Sequence, residues 1–326
     1  MRRPWLAPLT PLYAAAQALR NLRLKNGREP VQRLRFPVVS IGNLSTGGAG
    51  KTPFTIALAK ALTQRGFQVD VLSRGYGRRS KLPARVLPDG NADDFGDEPL
   101  LIAREAGVPV YVAGERYQAG LMAEVGQSDS ASLGVHLLDD GFQHRQLFRD
   151  VDILLLNRED WHDSLLPAGN LREPLKAARR ADVIAIPADD PALQVALNAW
   201  GWQGTIWLLH RKMEIPPVAG PVVAFCGIAR PEQFFTGLEA AGLQLAARFA
   251  FPDHHRYTPG DLDHLVYSAH KTGAATVVTT EKDQVRLAEL TSILPEWLPL
   301  ETAGLRVEIE NAAAAIDWLV GWLKAS

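Results

Sequence analysis

The stretch Val38-Val39-Ser40-Ile41-Gly42-Asn43-Leu44-Ser45-Thr46-Gly47-Gly48-Ala49-Gly50-Lys51-Thr52-Pro53 decides the fold, because an apolar run enters a glycine-rich turn closed by Gly-Lys-Thr. In such a turn, backbone N–H groups and the positive end of the following helix solvate phosphate oxygens. Lys51 is placed to reach the terminal phosphates, and the Thr52 hydroxyl is placed to bind Mg²⁺. The stretch therefore predicts a nucleoside triphosphate site. Its binding residues are Ser45, Thr46, Gly47, Gly48, Ala49, Gly50, Lys51, Thr52 and Pro53.

The turn departs from the strict phosphate-binding loop, which has glycine where this chain has Ser45. Glycines stand instead at Gly47 and Gly48, so the first turn must close differently. The alternative is a glycine-rich turn that binds nothing. The apolar run before the turn and the helical pattern at residues 56–62, ended by Gly66, are the flanks that the motif requires. They favour nucleotide binding.

Short apolar runs alternate with helical patterns after this turn. We predict strands at residues 68–73, 108–112, 135–138, 151–156 and 182–186. Continuous apolar strands that alternate with amphipathic helices are typical of a mostly parallel sheet covered on both faces. The fold class is therefore α/β, a doubly wound sheet of the P-loop NTPase type.

A second α/β series follows the pairs Pro216-Pro217 and Gly220-Pro221, which predict a hinge after a strand at residues 204–209. Strands are predicted at residues 221–225, 243–249 and 275–279, the last of the series, with a closing helix at 312–323. Residues 31–213 are thus assigned to the P-loop domain and residues 214–326 to a smaller α/β domain. The single cysteine, Cys226, excludes an intramolecular disulfide and fits a reducing compartment.

The charge distribution is uneven although the formal net charge is only −1. The first 36 residues carry one acidic residue, Glu29, and eight basic ones, so their net charge is +7 and that of the remainder is −8. The basic residues are Arg2, Arg3, Arg20, Arg23, Lys25, Arg28, Arg33 and Arg35. The apolar run between them, residues 5–19, is shorter than the roughly twenty residues of a membrane-spanning helix.

The same run can form a helix that lies on a membrane surface. One face would carry Trp5, Leu9, Leu12, Tyr13, Ala16 and Leu19, while the flanking arginines meet anionic headgroups. We therefore assign residues 1–30 to an interfacial amphipathic helix. A helix packed on the protein's own core and a nucleic-acid arm are the alternatives, but no nucleic-acid-binding module accompanies the arginines. We expect no nucleic-acid partner.

Several polar residues follow predicted strands, where phosphate-transfer sites lie in such sheets. Asp139 and Asp140 end the strand at 135–138 and can hold Mg²⁺, although an Asp-Gly turn is the alternative. Asp97 precedes a helix and is either an N-cap or a catalytic carboxylate. The pair His254-His255 follows a strand of the smaller domain and suits acid or base chemistry or simple solvation.

Taken together, these motifs closely resemble the tetraacyldisaccharide 4′-kinase (lipid A 4′-kinase) family of Gram-negative bacteria. The matching segments are the N-terminus, residues 39–53, Ser73-Arg74-Gly75-Tyr76-Gly77, Gly96-Asp97-Glu98-Pro99, Leu138 to His144, Leu171-Arg172-Glu173-Pro174, Asp253-His254-His255 and Thr280-Glu281-Lys282-Asp283. The Gly-Gly-x-Gly-Lys-Thr-Pro loop is that family's form. The resemblance implies transfer of the ATP γ-phosphoryl group to the 4′-hydroxyl of tetraacyldisaccharide 1-phosphate, a lipid A precursor, at the cytoplasmic face of the inner membrane.

The resemblance also implies roles for individual residues. Lys51 and Thr52 with Mg²⁺ bind the ATP phosphates, and Asp139 or Asp140 holds the metal. Asp97 accepts the proton of the sugar hydroxyl, and His254, which aligns with the family's Asp-His better than His255 does, orients or tunes it from the second domain. Arg74, His144 and Arg172 are candidates for contacts with phosphate or acceptor. The oligomeric state is not implied.

Two other classes compete with this interpretation. A P-loop GTPase or partitioning-type ATPase switch would carry an Asn-Lys-x-Asp loop or an extra lysine before the paired glycines, where this chain has Thr46. Neither feature is present. A soluble small-molecule kinase is harder to exclude from the P-loop alone. It gives no reason, however, for Trp5, Leu9 and Leu12 among arginines.

Overall fold

The computed structural model describes residues 3–27, 29–125 and 133–325. Within these residues, strands of the chain join in one mostly parallel sheet. They are β1 (Val38–Asn43), β2 (Gln68–Ser73), β3 (Ala84–Arg85), β4 (Val110–Val112), β5 (Gly134–Asp139), β6 (Val151–Leu155), β7 (Val183–Pro187), β8 (Thr205–Glu214), β9 (Val222–Cys226), β10 (Leu245–Ala250), β11 (Thr276–Thr280) and β12 (Leu300–Ile309).

Helices connect these strands. They are α1 (Thr10–Lys25), α2 (Lys51–Gln64), α3 (Ala92–Phe95), α4 (Asp97–Ala106), α5 (Arg116–Glu124), α6 (Arg158–Trp161), α7 (Pro191–Ala199), α8 (Pro231–Ala240), α9 (Pro259–Thr272), α10 (Glu281–Leu287) and α11 (Ala312–Ala325). Short 3-10 helices cover Pro4–Leu9, Leu175–Arg180 and Ala288–Ile293.

The central segment of the sheet has the order β8-β7-β6-β1-β5-β2-β4-β3, and its strands are parallel except for the short edge strand β3. β1, which leads into the P-loop, pairs with β5 on one side and β6 on the other. Its side chains alternate between two cores, since Ile41 lies in the same core as Phe54 of α2 and Val38 lies in the same core as Ala119 of α5. Burial on both faces explains the continuous apolar strands and confirms the predicted doubly wound sheet.

The C-terminal segment of the sheet has the order β10-β9-β11-β12 and is parallel. β12 joins the two segments: residues 300–303 pair in parallel with β11, and residues 304–309 pair antiparallel with β8. We predicted that the strand at 275–279 would be the last, and this was wrong. β12 escapes sequence reasoning because Glu301, Thr302 and Gly304 interrupt its apolar pattern, and the polar residues 210–214 similarly hide the second half of β8.

The division at residues 213 and 214 stays a prediction. The last helix bears on it, because Ile316, Leu319 and Leu323 of α11 are buried in the same core as Phe54 of the central segment. The chain therefore passes from the central segment to the C-terminal segment after β8 and returns through β12. Two connections, and not a single linker, join the segments.

The N-terminus forms the 3-10 turn Pro4–Leu9 and then α1, which begins and ends later than the apolar run at residues 5–19. Trp5 and Leu12 are 75% and 70% exposed, so their apolar surface is not covered by the protein's own core. Tyr13, which we placed on the same face, turns toward the protein instead. Of the predicted basic residues, Arg2, Arg28 and the side chain of Lys25 lie outside the described residues. No described helix is long and apolar enough to cross a bilayer.

Candidate active site

A cavity of 1340 Å³ opens at the carboxyl ends of β1 and β5. Four regions line it: the polar side of α1, the P-loop, the ends of the central strands, and loops of the C-terminal segment. Ligands of doubly wound sheets bind at this edge because neighbouring connections diverge there. The cavity is therefore the candidate active site.

The P-loop is shaped by glycines in left-handed backbone conformations. Gly47 and Gly48 have φ of 77° and 65°, a region that other residues rarely adopt. A Cβ atom at Gly47 would lie 2.7 Å from Ala229, and one at Gly48 would lie 2.8 Å from Arg230. The glycines thus permit both the turn and the close approach of the C-terminal segment over it.

Eight of the nine predicted nucleotide-binding residues line the cavity, namely Thr46, Gly47, Gly48, Ala49, Gly50, Lys51, Thr52 and Pro53. Ser45 does not. It is 2% exposed, and its hydroxyl accepts a hydrogen bond from the Asn43 side-chain amide at 3.2 Å. The Ser45 hydroxyl therefore supports the turn from beneath, in the place where the strict motif has glycine.

A charge cluster faces the P-loop. The Lys51 ammonium donates to Asn43 Oδ1 at 2.9 Å and lies 3.3 Å from Asp140 Oδ1. Arg172 donates to Asp140 Oδ2 at 2.8 Å. Burial alone would raise the pKa of Asp140, but Lys51 and Arg172 hold that pKa well below its usual range. Asp140 also has a left-handed φ of 51°, a strained backbone typical of functional positions.

The neighbouring carboxylate, Asp139, has the opposite electrostatic character. Burial, together with the negative charges of Glu98 and Asp140, raises the pKa of Asp139 to about 7. Ser73 donates to its Oδ2 at 3.2 Å, and the 2% exposed Thr52 lines the same cavity. Carboxylate and hydroxyl oxygens are the ligands that Mg²⁺ prefers. This crowding of buried carboxylates fits a divalent cation, whose charge would offset theirs.

Asp97 and His254 lie side by side, although Asp97 belongs to the central segment and His254 to the C-terminal segment. Asp97 is the first residue of α4, after Gly96, and its Oδ1 accepts the backbone N–H of Glu98 at 3.0 Å. His254 Nδ1 lies 3.1 Å from Asp97 Oδ2. His254 has a φ of 59° and donates its backbone N–H to the Gly227 carbonyl. His254 lines the cavity, whereas Asp97 is not one of its lining residues and its side chain is 6% exposed.

His255 points elsewhere. Its Nε2 lies 3.1 Å from Asp261 Oδ2, and its ring stacks on Phe251 at 4.6 Å between centroids. Of the two neighbouring histidines, His254 is therefore the one beside Asp97. The hydrogen bond to Asp97 raises the pKa of His254 above its ordinary value.

The three predicted acceptor contacts, Arg74, His144 and Arg172, all line the cavity. Burial, followed by the positive charges of Arg116 and Arg20, lowers the pKa of His144 to about 3. His144 is thus a neutral ring within a positively charged part of the cavity. Sequence reasoning missed Arg116, which begins α5 and is 8% exposed, because no motif surrounds it.

The polar side of α1 also contributes to the cavity. Tyr13 donates to the Arg172 carbonyl at 2.9 Å, Gln17 donates to the Tyr13 hydroxyl at 3.0 Å, and Arg20 donates to the Gln143 carbonyl at 3.1 Å. These residues recur at helical spacing. α1 is therefore amphipathic, with one side on the cavity and exposed apolar residues on the other.

Sequence reasoning assigned no role to Lys282 of α10 and did not name Arg286 of the same helix. Thr280 is the N-cap of this helix, and its hydroxyl accepts the Asp283 N–H at 3.1 Å. Lys282 forms an ion pair with Glu98, and Arg286 forms one with Asp97. Lys282 and Arg286 are visible in the sequence as basic residues of a short helix. Their partners, Glu98 and Asp97, lie far away in the sequence, so the ion pairs could not be predicted.

Known proteins resemble the whole chain and not only its motifs. Residues 2–323 match the model of the family described as tetraacyldisaccharide-1-P 4′-kinase. The chain belongs to this family. This match confirms the family that the motifs predicted. A tetraacyldisaccharide 4′-kinase from Koribacter versatilis is 42% identical, with 96% of this chain and 97% of that protein covered.

Further relatives of the family agree. One from Anaeromyxobacter dehalogenans is 41% identical over 84% of this chain and 79% of that protein. A crystal structure of LpxK from Aquifex aeolicus in complex with ATP matches with a TM-score of 0.75 and 32% identity, covering 98% of each chain. This chain and the Aquifex aeolicus protein therefore share one fold along nearly their whole length.

Proposed function

We propose that this chain transfers the γ-phosphoryl group of ATP to the 4′-hydroxyl of tetraacyldisaccharide 1-phosphate, in lipid A biosynthesis. The observation that carries the proposal is the single cavity that joins the P-loop, His254 and the polar side of α1. Such a cavity can hold a nucleotide and an amphipathic acceptor together. Phosphoryl transfer needs chiefly positioning and charge neutralisation, which this arrangement supplies.

The nucleotide phosphates occupy the P-loop in this proposal. Backbone N–H groups of residues 47–52 and the Lys51 ammonium bind their oxygens, and the positive end of α2 adds to the attraction. Arg172, which already pairs with Asp140, lies on the same side of the cavity. Lys51 and Arg172 together counter the negative charge that develops on the transferred group.

Thr52, Asp139 and Asp140 are the residues that would hold Mg²⁺. Asp140 already pairs with Lys51 and Arg172, whereas Asp139 is crowded by other carboxylates, whose charge a cation would offset. Bound there, the metal would neutralise phosphate charge. Both aspartates remain candidates for direct contact with it.

The Asp97–His254 pair receives the proton. As the 4′-oxygen bonds to the γ-phosphorus, the bond from phosphorus to the β,γ-bridging oxygen breaks and ADP leaves. The hydroxyl proton passes to Asp97, with His254 holding the carboxylate at 3.1 Å. An ionised carboxylate of low pKa accepts a proton late in such a transition state, when the hydroxyl has become acidic.

The test is transfer of ³²P from γ-labelled ATP to tetraacyldisaccharide 1-phosphate in detergent micelles. Lys51→Ala should lower kcat by about a hundredfold or more, because it removes a positive charge aimed at the transferring group. Asp97→Ala should lower kcat by about 10²- to 10⁴-fold. Lys60→Ala is the matched control, since Lys60 is exposed on the same helix α2. ATP hydrolysis without labelled lipid would instead support a switch ATPase.

We also propose that α1 docks on the anionic cytoplasmic face of the inner membrane as a peripheral anchor. Exposed Leu9, Leu12 and Leu19 support the proposal, as do the basic residues around them. The triple substitution of these leucines by Gln should weaken co-sedimentation with phosphatidylglycerol vesicles by more than about tenfold, since each buried leucine contributes about 1.5 kcal/mol or more.

The control for this experiment is Val195→Gln, which changes an exposed apolar residue on α7. It should leave vesicle binding intact. ATP affinity should stay unchanged in both proteins because Tyr13, Gln17 and Arg20 keep their contacts with the cavity. Undiminished vesicle binding by the triple variant would show that these leucines do not anchor the protein to the membrane.

A further inference from the structure

Arg286 reaches Asp97 from the far side of the inter-segment contact. It lies on α10, and its side chain is 7% exposed. Its Nε donates to Asp97 Oδ2 at 2.8 Å, and its Nη2 contacts the same oxygen. Nη2 also lies 3.3 Å from His254 Nδ1. Arg286 therefore touches both members of the Asp97–His254 pair without lining the cavity.

The guanidinium is itself held by a buried partner. Arg286 Nη1 donates to Oδ1 of Asp283, a side chain that is 0% exposed, at 2.9 Å. The same oxygen accepts the Tyr257 hydroxyl at 2.9 Å and the Gly227 N–H at 3.1 Å. Arg286 also donates to the Gly227 carbonyl. Such a network fixes the orientation of the guanidinium before any substrate binds.

We propose, as an inference that rests on the proposed function, that Arg286 is a positioning residue for Asp97. It occupies Oδ2 and leaves Oδ1 as the oxygen that accepts the proton of the sugar hydroxyl.

The hydrogen bonds of the two Asp97 carboxylate oxygens support this assignment. Oδ2 is shared by His254 Nδ1 and two nitrogens of Arg286, which saturates it. Within the described residues, the Glu98 N–H is the only hydrogen-bond donor to Oδ1. Because an ionised carboxylate oxygen accepts about two hydrogen bonds, Oδ1 keeps capacity for the incoming proton.

The cations around Asp97, namely His254, Arg286 and Lys282, act in the same direction and outweigh the carboxylates Asp253, Asp283 and Glu98. These groups come from the loop after β10, from α10 and from α4 itself. Burial alone would raise the pKa of Asp97, but the His254 hydrogen bond and the charges of Arg286 and Lys282 hold it well below its usual range. After the His254 hydrogen bond, the charge of Arg286 contributes most to keeping Asp97 ionised.

The first test is the pH dependence of ³²P transfer by Arg286→Gln. Loss of orientation should lower kcat by about 10- to 100-fold. Loss of the neighbouring cation should move the acid limb of kcat/KM upward by about 1 to 3 pH units. Arg286→Lys keeps the charge and should leave the acid limb near that of the wild type, while kcat recovers only in part because the planar fork is lost.

A second measurement reports on the Asp97–His254 pair and does not require turnover. Arg286 lowers the pKa of His254 by its charge, so Arg286→Gln should raise the midpoint of the His254 ring titration in NMR spectra. His254→Asn assigns the resonance. Arg306→Gln is the matched control: Arg306 also bridges α4 and the C-terminal segment, through Glu105 and Glu281, but does not contact Asp97. It should move neither the titration nor the acid limb.

The possible outcomes separate two failures. If Arg286→Gln keeps the acid limb and the His254 titration of the wild type, or if its kcat rises, Arg286 does not position Asp97. If the wild type makes no labelled lipid, the proposed function fails, while the His254 titration still reports whether Arg286 acts on the pair.

Discussion

The pair His136–Asp70 and the pair His254–Asp97 are built from the same residue types, but their surroundings differ. His136 and Asp70 lie opposite each other on the neighbouring strands β5 and β2, and His136 is 0% exposed. Its Nδ1 lies 2.7 Å from Asp70, and its Nε2 lies 3.2 Å from Glu124. Both ring nitrogens are therefore occupied within regular structure.

The His254 ring keeps one side toward a cavity. Its Nδ1 is bound to Asp97, and its Nε2 is 3.9 Å from Asp253. Its backbone is left-handed, and its two partners belong to different segments of the sheet. The His136 site has none of these features. A histidine–carboxylate pair is thus not by itself a sign of chemistry; access and backbone strain distinguish the catalytic candidate.

The sharpest test of this difference is to replace each histidine by asparagine. His136→Asn should destabilise the protein by about 3 kcal/mol, because it leaves the Asp70 and Glu124 carboxylates without a buried cation. His254→Asn should lower kcat by about 10- to 100-fold through loss of orientation. Urea denaturation measures the first effect, and ³²P transfer measures the second. Each variant should leave the other quantity nearly unchanged.

The control is His210→Asn, since His210 of β8 forms an exposed pair with Glu310. Exposed ion pairs contribute only about 0 to 1 kcal/mol, so this variant should resemble the wild type in both assays. A His254 variant that unfolds more readily than the His136 variant would contradict the comparison, as would slow turnover by a stable His136 variant.

The sequence predicted most of the central segment for a clear reason. Its parallel strands are buried on both faces, so they read as continuous apolar runs, and the glycine-rich turn placed the site at their carboxyl ends. In the structure, Lys51, Asp139, Asp140 and His254 line one cavity, and each of them follows a predicted strand in the sequence. The strand β12 was missed because its two halves pair with different partners and are only partly buried.

Contacts between distant side chains were beyond sequence reasoning. Asp70 and His136 looked like isolated polar interruptions of two apolar strands, and only the register between β2 and β5 brings them together. Arg286 and Asp97 likewise meet through the packing of α10 against α4. Pairing of strands and helices is a property of the whole fold, whereas motifs report on one segment at a time.

The smallest expected effect is the pH dependence of the stability that the buried His136 provides. Burial alone would lower the pKa of His136, but hydrogen bonds to Asp70 and Glu124 raise it to about 9. An unfolded histidine has a pKa of about 6.5, so the stabilisation is complete below that pH and is lost as pH rises through the folded pKa. We expect a loss of about 2 kcal/mol in the free energy of unfolding between about pH 7 and about pH 9.

Urea denaturation at several pH values checks this expectation, and His136→Asn supplies the control. Without the titrating ring, the variant should be less stable at neutral pH but should lose little more as the solution becomes alkaline. The two proteins should therefore converge in stability near the folded pKa of His136. His254→Asn should keep the slope of the wild type over most of this range, because the more exposed His254 ring contributes less. Parallel curves for the wild type and the His136 variant would show that another group governs the alkaline side.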